Sequence, residues 1–193
     1  MAKLDLQRAK QLLESTTTEP GLLRHALAVS EAMAAMAVRL GGEAEYWRSV
    51  GYLHDYDYQK FPGEHLLHTE AELLAAGVDE VAVRAIMAHG WGICNETTPE
   101  SPLEKSLYTV DNLTGIIAAT ALMRPRGIYD LEVNGVKKKM KDKKFAAKIR
   151  RDVILKGVEL LGLPLEEVID LCLQGMRLEA EALGIAGTTP VTP

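Results

Sequence analysis

Only two cysteines occur in the 193 residues, Cys94 and Cys172. With no CxxC spacing they exclude a disulfide framework and a zinc knuckle, and lone thiols suit a reducing cytoplasm. An excess of basic residues is missing as well. The net charge is −5, whereas chains that track nucleic-acid phosphates are usually basic, so no nucleic-acid polymer is expected as partner. Neither GxxxxGK[ST] nor GxGxxG occurs, which removes ATP-driven chemistry and dinucleotide redox, and without GxSxG the common serine-hydrolase arrangement goes too. No run approaches the roughly 20 apolar residues of a membrane span. Asp5 and Arg8 interrupt any signal-peptide core near the N-terminus. A cytoplasmic protein with no membrane partner is the expectation. Strand-type alternation never exceeds three or four residues, and there is no internal repeat.

What is present is helical periodicity. Leu4, Leu12 and Leu13 give the apolar side of a short helix over 4–14, and the run from Ser15 to Gly21 reads as a turn. Leu22, Ala26, Val29, Met33, Met36 and Leu40 recur at 3.6-residue spacing and form a core stripe, closed by Gly41-Gly42. Helices are expected over 43–53, 64–76 and 79–89, separated by Pro62-Gly63 and by Gly77. Ser101-Pro102-Leu103-Glu104 is a capping box with proline at the first helical position, opening a helix that runs to about Met123. Tyr129 to Val133 is an extended or turn segment. Lys137 to Arg151, with nine Lys or Arg against one acid, reads as one or two short helices, and a final helix begins near Pro164 and runs to about Leu183. With 47% apolar residues, a chain of this length builds one substantial core. The expected fold is all-α: a compact bundle in one domain over 1–184, with a helical extension from about 136 to 184 and a flexible tail at 185–193.

All five histidines fall between residues 25 and 89. The dipeptide His54-Asp55 ends the apolar helix formed by Tyr46, Trp47, Val50 and Leu53. Neighbours on a helix diverge by about 100°, so these two side chains converge on one ion only where the helix ends and the backbone turns. Imidazole together with carboxylate suits Mn, Fe, Ni, Co or Zn. Asp111 lies in the stripe Leu103, Leu107, Asp111, Thr114, Ala118, which points its carboxylate into the core. A buried carboxylate must be neutralised, paired or bound to metal, and nearby imidazoles make metal the simplest of the three.

The order His25, His54-Asp55, Asp111 resembles H…HD…D, the signature of the HD-domain superfamily of metal-dependent phosphohydrolases. The segments LHDYDYQKFPGEH, VDNLTGIIAATALMRP and VKKKMKDKKFA look like those of small bacterial and archaeal HD hydrolases of unassigned substrate, and the likeness runs over about residues 20–175. The resemblance implies an HD-domain helical bundle with metal between the second, third, fifth and sixth helices. It implies His25, His54, Asp55 and Asp111 as ligands, and hydrolysis of a small phosphate ester such as a nucleotide. The cofactor would be a divalent transition metal (Mn, Fe, Ni, Co or Zn, with Mg a further option), one ion held firmly. His68 and His89 fall where two-metal members add histidines, with Asp55 bridging, and are candidates for a second ion. Many such members carry a histidine or threonine directly after the position of His89. Gly90 stands there, which leaves the second site one ligand short. His65, three residues before His68, shares its helix face and ranks below it.

Around these ligands Asp55 and Asp57 are the candidate catalytic carboxylates. Asp57 would orient a water or fix a ligand imidazole through a hydrogen bond. Lys60 is a candidate to neutralise a phosphate. Arg124 and Arg126, just past the Asp111 helix, are candidates to grip it in two-pronged fashion. Lys137, Lys141, Lys144 and Lys148, on one helical face, form either a solvated surface or a positive lip that attracts a phosphorylated substrate. Asn112 stands where related sequences commonly have an acid. Two other classes stay open: a di-iron HD-type oxygenase, and a non-catalytic metal or nucleotide sensor. The oligomeric state is open as well.

Overall fold

The apolar stripe from Leu22 to Leu40 folds as the longest helix, and the remainder of the chain is arranged around it. The computed structural model describes residues 3–188, which form nine α-helices and no strand. In chain order these are α1 Leu6–Thr16, α2 Pro20–Leu40, α3 Ala44–Leu53, α4 Thr69–Ala75, α5 Glu80–Ala88, α6 Pro102–Ala121, α7 Val133–Lys141, α8 Arg151–Leu161 and α9 Leu165–Leu178, with a 3-10 turn at Gly127–Asp130. The all-α bundle expected from the periodicity is the fold observed.

Local chemistry fixes the helix ends. The Glu19 side chain accepts the Leu22 N–H with Pro20 inside the first turn of α2, and Gly41 ends that helix in the left-handed region at φ 73°. The capping box at Ser101 and Glu104 forms as expected. Asp79 caps α5 by accepting the Ala82 N–H.

Helix α2 packs along α3, α6 and α9, while α8 lies along α6. Two glycines allow α3 and α9 to approach α2 closely. A Cβ at Gly51 of α3 would stand 3.1 Å from Ser30 Cα and from Val29 O on α2. A Cβ at Gly175 of α9 would land on the Glu31 backbone carbonyl, also on α2. One continuous apolar core runs from Leu4 to Ala186, so the C-terminal helices share it with the first six. By length and composition α2, with mean hydropathy 1.2, could cross a membrane, contrary to the expectation from run lengths. Here Val29, Met33 and Met36 on it are fully buried among neighbouring helices.

Several boundaries differ from the sequence-based expectation. Helix α4 starts at Thr69 rather than 64, because Leu66 adopts a left-handed φ of 67° and breaks any helix there. The basic run is split between the end of α7, a turn over 142–150 and the start of α8, so Lys144 and Lys148 do not continue a face begun by Lys137 and Lys141. The Tyr129–Val133 region begins in the 3-10 turn and passes into α7. The tail expected to be flexible from 185 starts with packed residues: Ile185 and Ala186 are buried, the Ile128 N–H donates to Ile185 O at 2.8 Å, and the Thr188 N–H donates to Pro125 O at 2.9 Å. The remainder of that tail, 189–193, lies outside the described residues.

Candidate metal centre

Four helices each deliver one part of a cluster. His25 stands on the second turn of α2, His54 at the end of α3, His89 at the end of α5, and Asp111 midway along α6. After α3 the backbone tightens into successive i+3 turns, with the Tyr56 N–H donating to Leu53 O and the Tyr58 N–H to Asp55 O. That turn brings Asp55 beside the histidine it follows.

The Asp55 carboxylate faces two groups at once. Its Oδ2 lies 3.3 Å from His54 Nε2 and 3.7 Å from His25 Nε2. Its Oδ1 lies 3.5 Å from His65 Nε2 and 3.7 Å from His89 Nε2. Asp111 Oδ1 completes the first side, 3.0 Å from His25 Nε2 and 3.6 Å from His54 Nε2. Two sets whose ligand atoms lie within 4.8 Å of one another result: His25, His54, Asp55 and Asp55, His65, His89.

Hydrogen bonds on the far side of three rings fix their orientation. His54 Nδ1–H donates to Gly51 O at 2.8 Å, His89 Nδ1–H to Ile86 O at 2.5 Å, and His65 Nδ1–H to Asp57 Oδ1 at 2.7 Å. Each ring so held presents an Nε2 lone pair toward Asp55. His54 Nε2 is buried without a hydrogen-bond partner, and the Nε2 atoms of His65 and His89 stand 3.1 Å apart. Lone pairs that converge in this way need a proton or a cation between them. Burial pushes the His54 imidazole down, but Asp55 and Asp111 outweigh it and hold the ring well above its ordinary value. Burial pushes Asp55 and Asp111 up, and the histidines more than reverse it, so both carboxylates lie well below their ordinary range. Ionised carboxylates among imidazoles form an electronegative pocket of nitrogen and oxygen donors. That composition fits a borderline divalent transition ion.

The four ligands expected from the sequence meet, and His89 joins them. His68 does not. Its Nε2 lies 2.6 Å from Glu64 Oε2, its ring packs on Phe61, and its side chain is 43% exposed. His65 occupies the place expected for it, because the left-handed Leu66 separates the two histidines that a continuous helix would have put on one face. Nor is position 90 a lost ligand. A Cβ on Gly90 would come 2.5 Å from Leu66 Cδ1 and 2.7 Å from Cys94 Sγ, so the chain closes over it while His65 fills the set.

Asp57 makes the imidazole-holding hydrogen bond expected of it, to His65 Nδ1. It is fully buried, with Oδ1 taken by His65 and Oδ2 accepting the Leu66 N–H at 2.7 Å. Burial pushes it up, and these bonds nonetheless hold it below its usual range. Lys60 is paired with both oxygens of Glu72 at 2.8 Å. Arg124 is committed to Asp130, its Nε donating to Oδ1 at 2.6 Å and its Nη2 to the backbone O at 2.7 Å. Arg126 is exposed, and neither it, Lys60 nor Arg124 lines the cavity over the cluster.

That cavity, about 320 Å³, is walled on its open side by Tyr58, Ile93, Asn112 and Arg150. Asn112 links two parts of it: Nδ2 donates to Asp111 Oδ2 at 3.0 Å, and Oδ1 accepts the Arg150 N–H at 3.0 Å. In the sequence Arg150 is one of nine basic residues in a run, with nothing to mark it out.

Comparisons with protein-family models, with curated proteins and with solved structures found no match for this chain. The class therefore rests on the fold and the cluster: an all-helical bundle whose core helices converge on two overlapping His/Asp groups with the spacing of candidate metal ligands.

Proposed function

We propose that the chain is a metal-dependent phosphohydrolase acting on a small phosphate ester such as a nucleotide, with the H…HD…D pattern serving as an HD-domain site. The observation that supports this best is the division of Asp55 between two ligand sets, each with ring nitrogens aimed at it. His25, His54, Asp55 and Asp111 would hold one ion, and Asp55, His65 and His89 a second. When bound, such ions supply Lewis acidity toward a phosphoryl oxygen and acidify coordinated water. The chain's own part is to hold the three imidazoles in the tautomer that leaves Nε2 free, through Gly51 O, Ile86 O and Asp57. Arg150 on the cavity wall, its exposed guanidinium paired with Asp152, is a positive charge suited to an anionic phosphoryl group, and a cavity of about 320 Å³ suits a small ester. The test is metal analysis of protein purified without chelator, followed by phosphate release across nucleotides and sugar phosphates. Release that chelator abolishes and Asp55→Ala lacks is the expected result. Stoichiometric metal with no release from any ester would defeat the proposal.

One observation favours a second reading. With His65 in the set, five His and Asp side chains surround the shared Asp55 carboxylate, six donors in all, a group that also suits a di-iron oxygenase. Iron-loaded protein that consumes dioxygen in the presence of an organic substrate, and releases no phosphate, would select it.

A further inference from the structure

The cavity over the cluster does not end at Arg150. The same arginine lines a second cleft, about 270 Å³, whose other walls are Trp91, Gly92, Tyr108, Asp152, Val153 and Lys156. Building on the phosphohydrolase reading, we propose that this cleft is the subsite for the organic group of the substrate, and that it selects phosphate esters carrying a flat aromatic ring, which rests on Trp91 with the buried Tyr108 behind it, while Arg150 stands at the junction of the cleft and the metal cavity.

The composition of the cleft carries the inference. The Trp91 and Tyr108 rings stand with centroids 5.6 Å apart at 49°, giving an angled aromatic wall against which a planar group gains stacking and dispersion. The wall is built in advance of any ligand. Trp91 sits at the start of a tight loop in which the Gly92 N–H donates to Asn95 O at 2.9 Å and Cys94 and Asn95 both donate to Gly90 O, while Asn95 Nδ2 ties the loop to Met87 O at 2.7 Å. Tyr108 is 5% exposed on α6, three residues before Asp111 and so one helical turn from the cluster. The cationic edge is available. Arg150 is paired with Asp152 and Lys156 with Glu159, but the four side chains are 44–72% exposed, and exposed pairs of this kind are held too weakly to resist exchange for a phosphate oxygen. The Arg150 backbone is meanwhile fixed to Asn112 beside Asp111, which sets the arginine at the junction of the two cavities. A different cavity, about 250 Å³, opens on the other side of His25, with Arg24 and Thr114 among its walls and Ala118, Leu122, Met176 and Leu183 as its aliphatic part. With no aromatic wall besides His25, its aliphatic part would suit an alkyl group, so the choice between the two clefts is a choice between ester classes.

The experiment compares non-hydrolysable phenylphosphonate with n-propylphosphonate by calorimetric titration of manganese-loaded protein. It also compares the kcat/KM of the corresponding aryl and alkyl phosphates. Wild type is expected to favour the aryl ligand, and Trp91→Ala to reduce the aryl-to-alkyl affinity ratio about tenfold, the scale of one ring stacked on an aromatic side chain. Trp91→Phe, which keeps a ring, is expected to retain most of the preference, and this guards against a variant that merely loosens the loop. Equal affinity for the two ligands, or a preference that Trp91→Ala leaves intact, overturns the subsite while hydrolysis of both esters leaves the phosphohydrolase reading standing. A preference for the alkyl ligand overturns it in favour of the aliphatic cavity beyond His25. Aryl preference lost in Trp91→Ala, with no ester hydrolysed, upholds the subsite and removes the hydrolase.

Discussion

At the scale of single residues, the conformation of Leu66 decides which histidine serves the cluster. A non-glycine residue at φ 67° costs about 1 kcal/mol or more, and here it is held by full burial of the side chain and by the N–H bond to Asp57. The same carboxylate holds His65 Nδ1, so one buried acid fixes both the turn and the ring that the turn presents. Two variants separate the histidines. His65→Ala is expected to lose about one of two bound metal equivalents, and His68→Ala to keep both, read by elemental analysis after dialysis against the metal. Retention of both ions in His65→Ala would return the second site to other ligands. His25, His54, Asp55 and Asp111 were legible as a set through the H…HD…D resemblance, the clustering of the histidines and the apolar stripe that carries Asp111, and His89 was offered with His68 as a second-ion candidate by the same resemblance. The exchange of His65 for His68 was not legible, since a left-handed leucine leaves no mark in the sequence. For Arg124 and Lys60, type and proximity suggested phosphate, but neither lines the cavity over the cluster, and they pair with Asp130 and Glu72.

Among the elements, the joints between helices carry the predictions. Asp79 joins three parts of the bundle. Its Oδ1 accepts the Tyr46 hydroxyl of α3 at 2.5 Å and the Ala82 N–H of α5 at 3.1 Å, and its Oδ2 accepts the Leu4 N–H at 3.0 Å. Asp79→Ala removes a cap and two further bonds and should cost about 2–3 kcal/mol at pH 7. Burial pushes the Asp79 carboxyl up, but Tyr46 and the two backbone N–H groups hold it below its ordinary value. A depressed folded-state pKa gives stability that is complete above the unfolded value of about 3.9 and is lost as pH falls through the folded value. The gap in Tm between wild type and Asp79→Ala should therefore be constant near neutrality and narrow only below about pH 4. A gap unchanged down to pH 2 would show that the carboxylate is not the stabilising form. Gly175 is the second joint. Because its Cβ would strike backbone rather than a movable side chain, Gly175→Ala should destabilise by about 3 kcal/mol and lower Tm by about 5 °C or more, although alanine is the better helix former. Helices with a cap or a terminating glycine, α2 and α6 above all, were legible to within two residues. Helix α8 went unread because the basic run before it masks a short amphipathic pattern, and α4 was read too long because nothing flags Leu66.

For the molecule as a whole, the question is what a basic segment does on a chain whose net charge is −5. The structure divides the run from Lys137 to Arg151 by contact. Lys137 is paired with Glu166 on α9, and Lys139 lies over the Phe145 ring at 4.5 Å. Arg151 donates to the backbone carbonyls of Met140 and Asp142 and so holds the 142–150 turn together. Lys141, Lys144 and Lys148 are exposed, and Arg150 alone of the run lines the candidate metal cavity. Two electrostatic effects on an anionic substrate are therefore separable. Exposed lysines act at a distance, and with a Debye length of about 10 Å at 0.1 M salt their attraction fades as salt is added. A guanidinium in contact with the phosphate is screened far less. Replacing Lys141, Lys144 and Lys148 together with Gln should lower kcat/KM by about twofold to threefold at 10 mM salt, where the Debye length is about 30 Å, and leave it unchanged at 0.3 M. Arg150→Gln should raise KM at least tenfold at both, the loss of a charge-assisted bond. The lysine substitutions themselves should move stability by less than about 0.5 kcal/mol each, as exposed surface changes do. A loss in the triple-lysine variant that persists at 0.3 M salt would mean that the turn over 142–150 closes onto the substrate and touches it. An Arg150→Gln effect confined to low salt would mean that the arginine steers and does not bind.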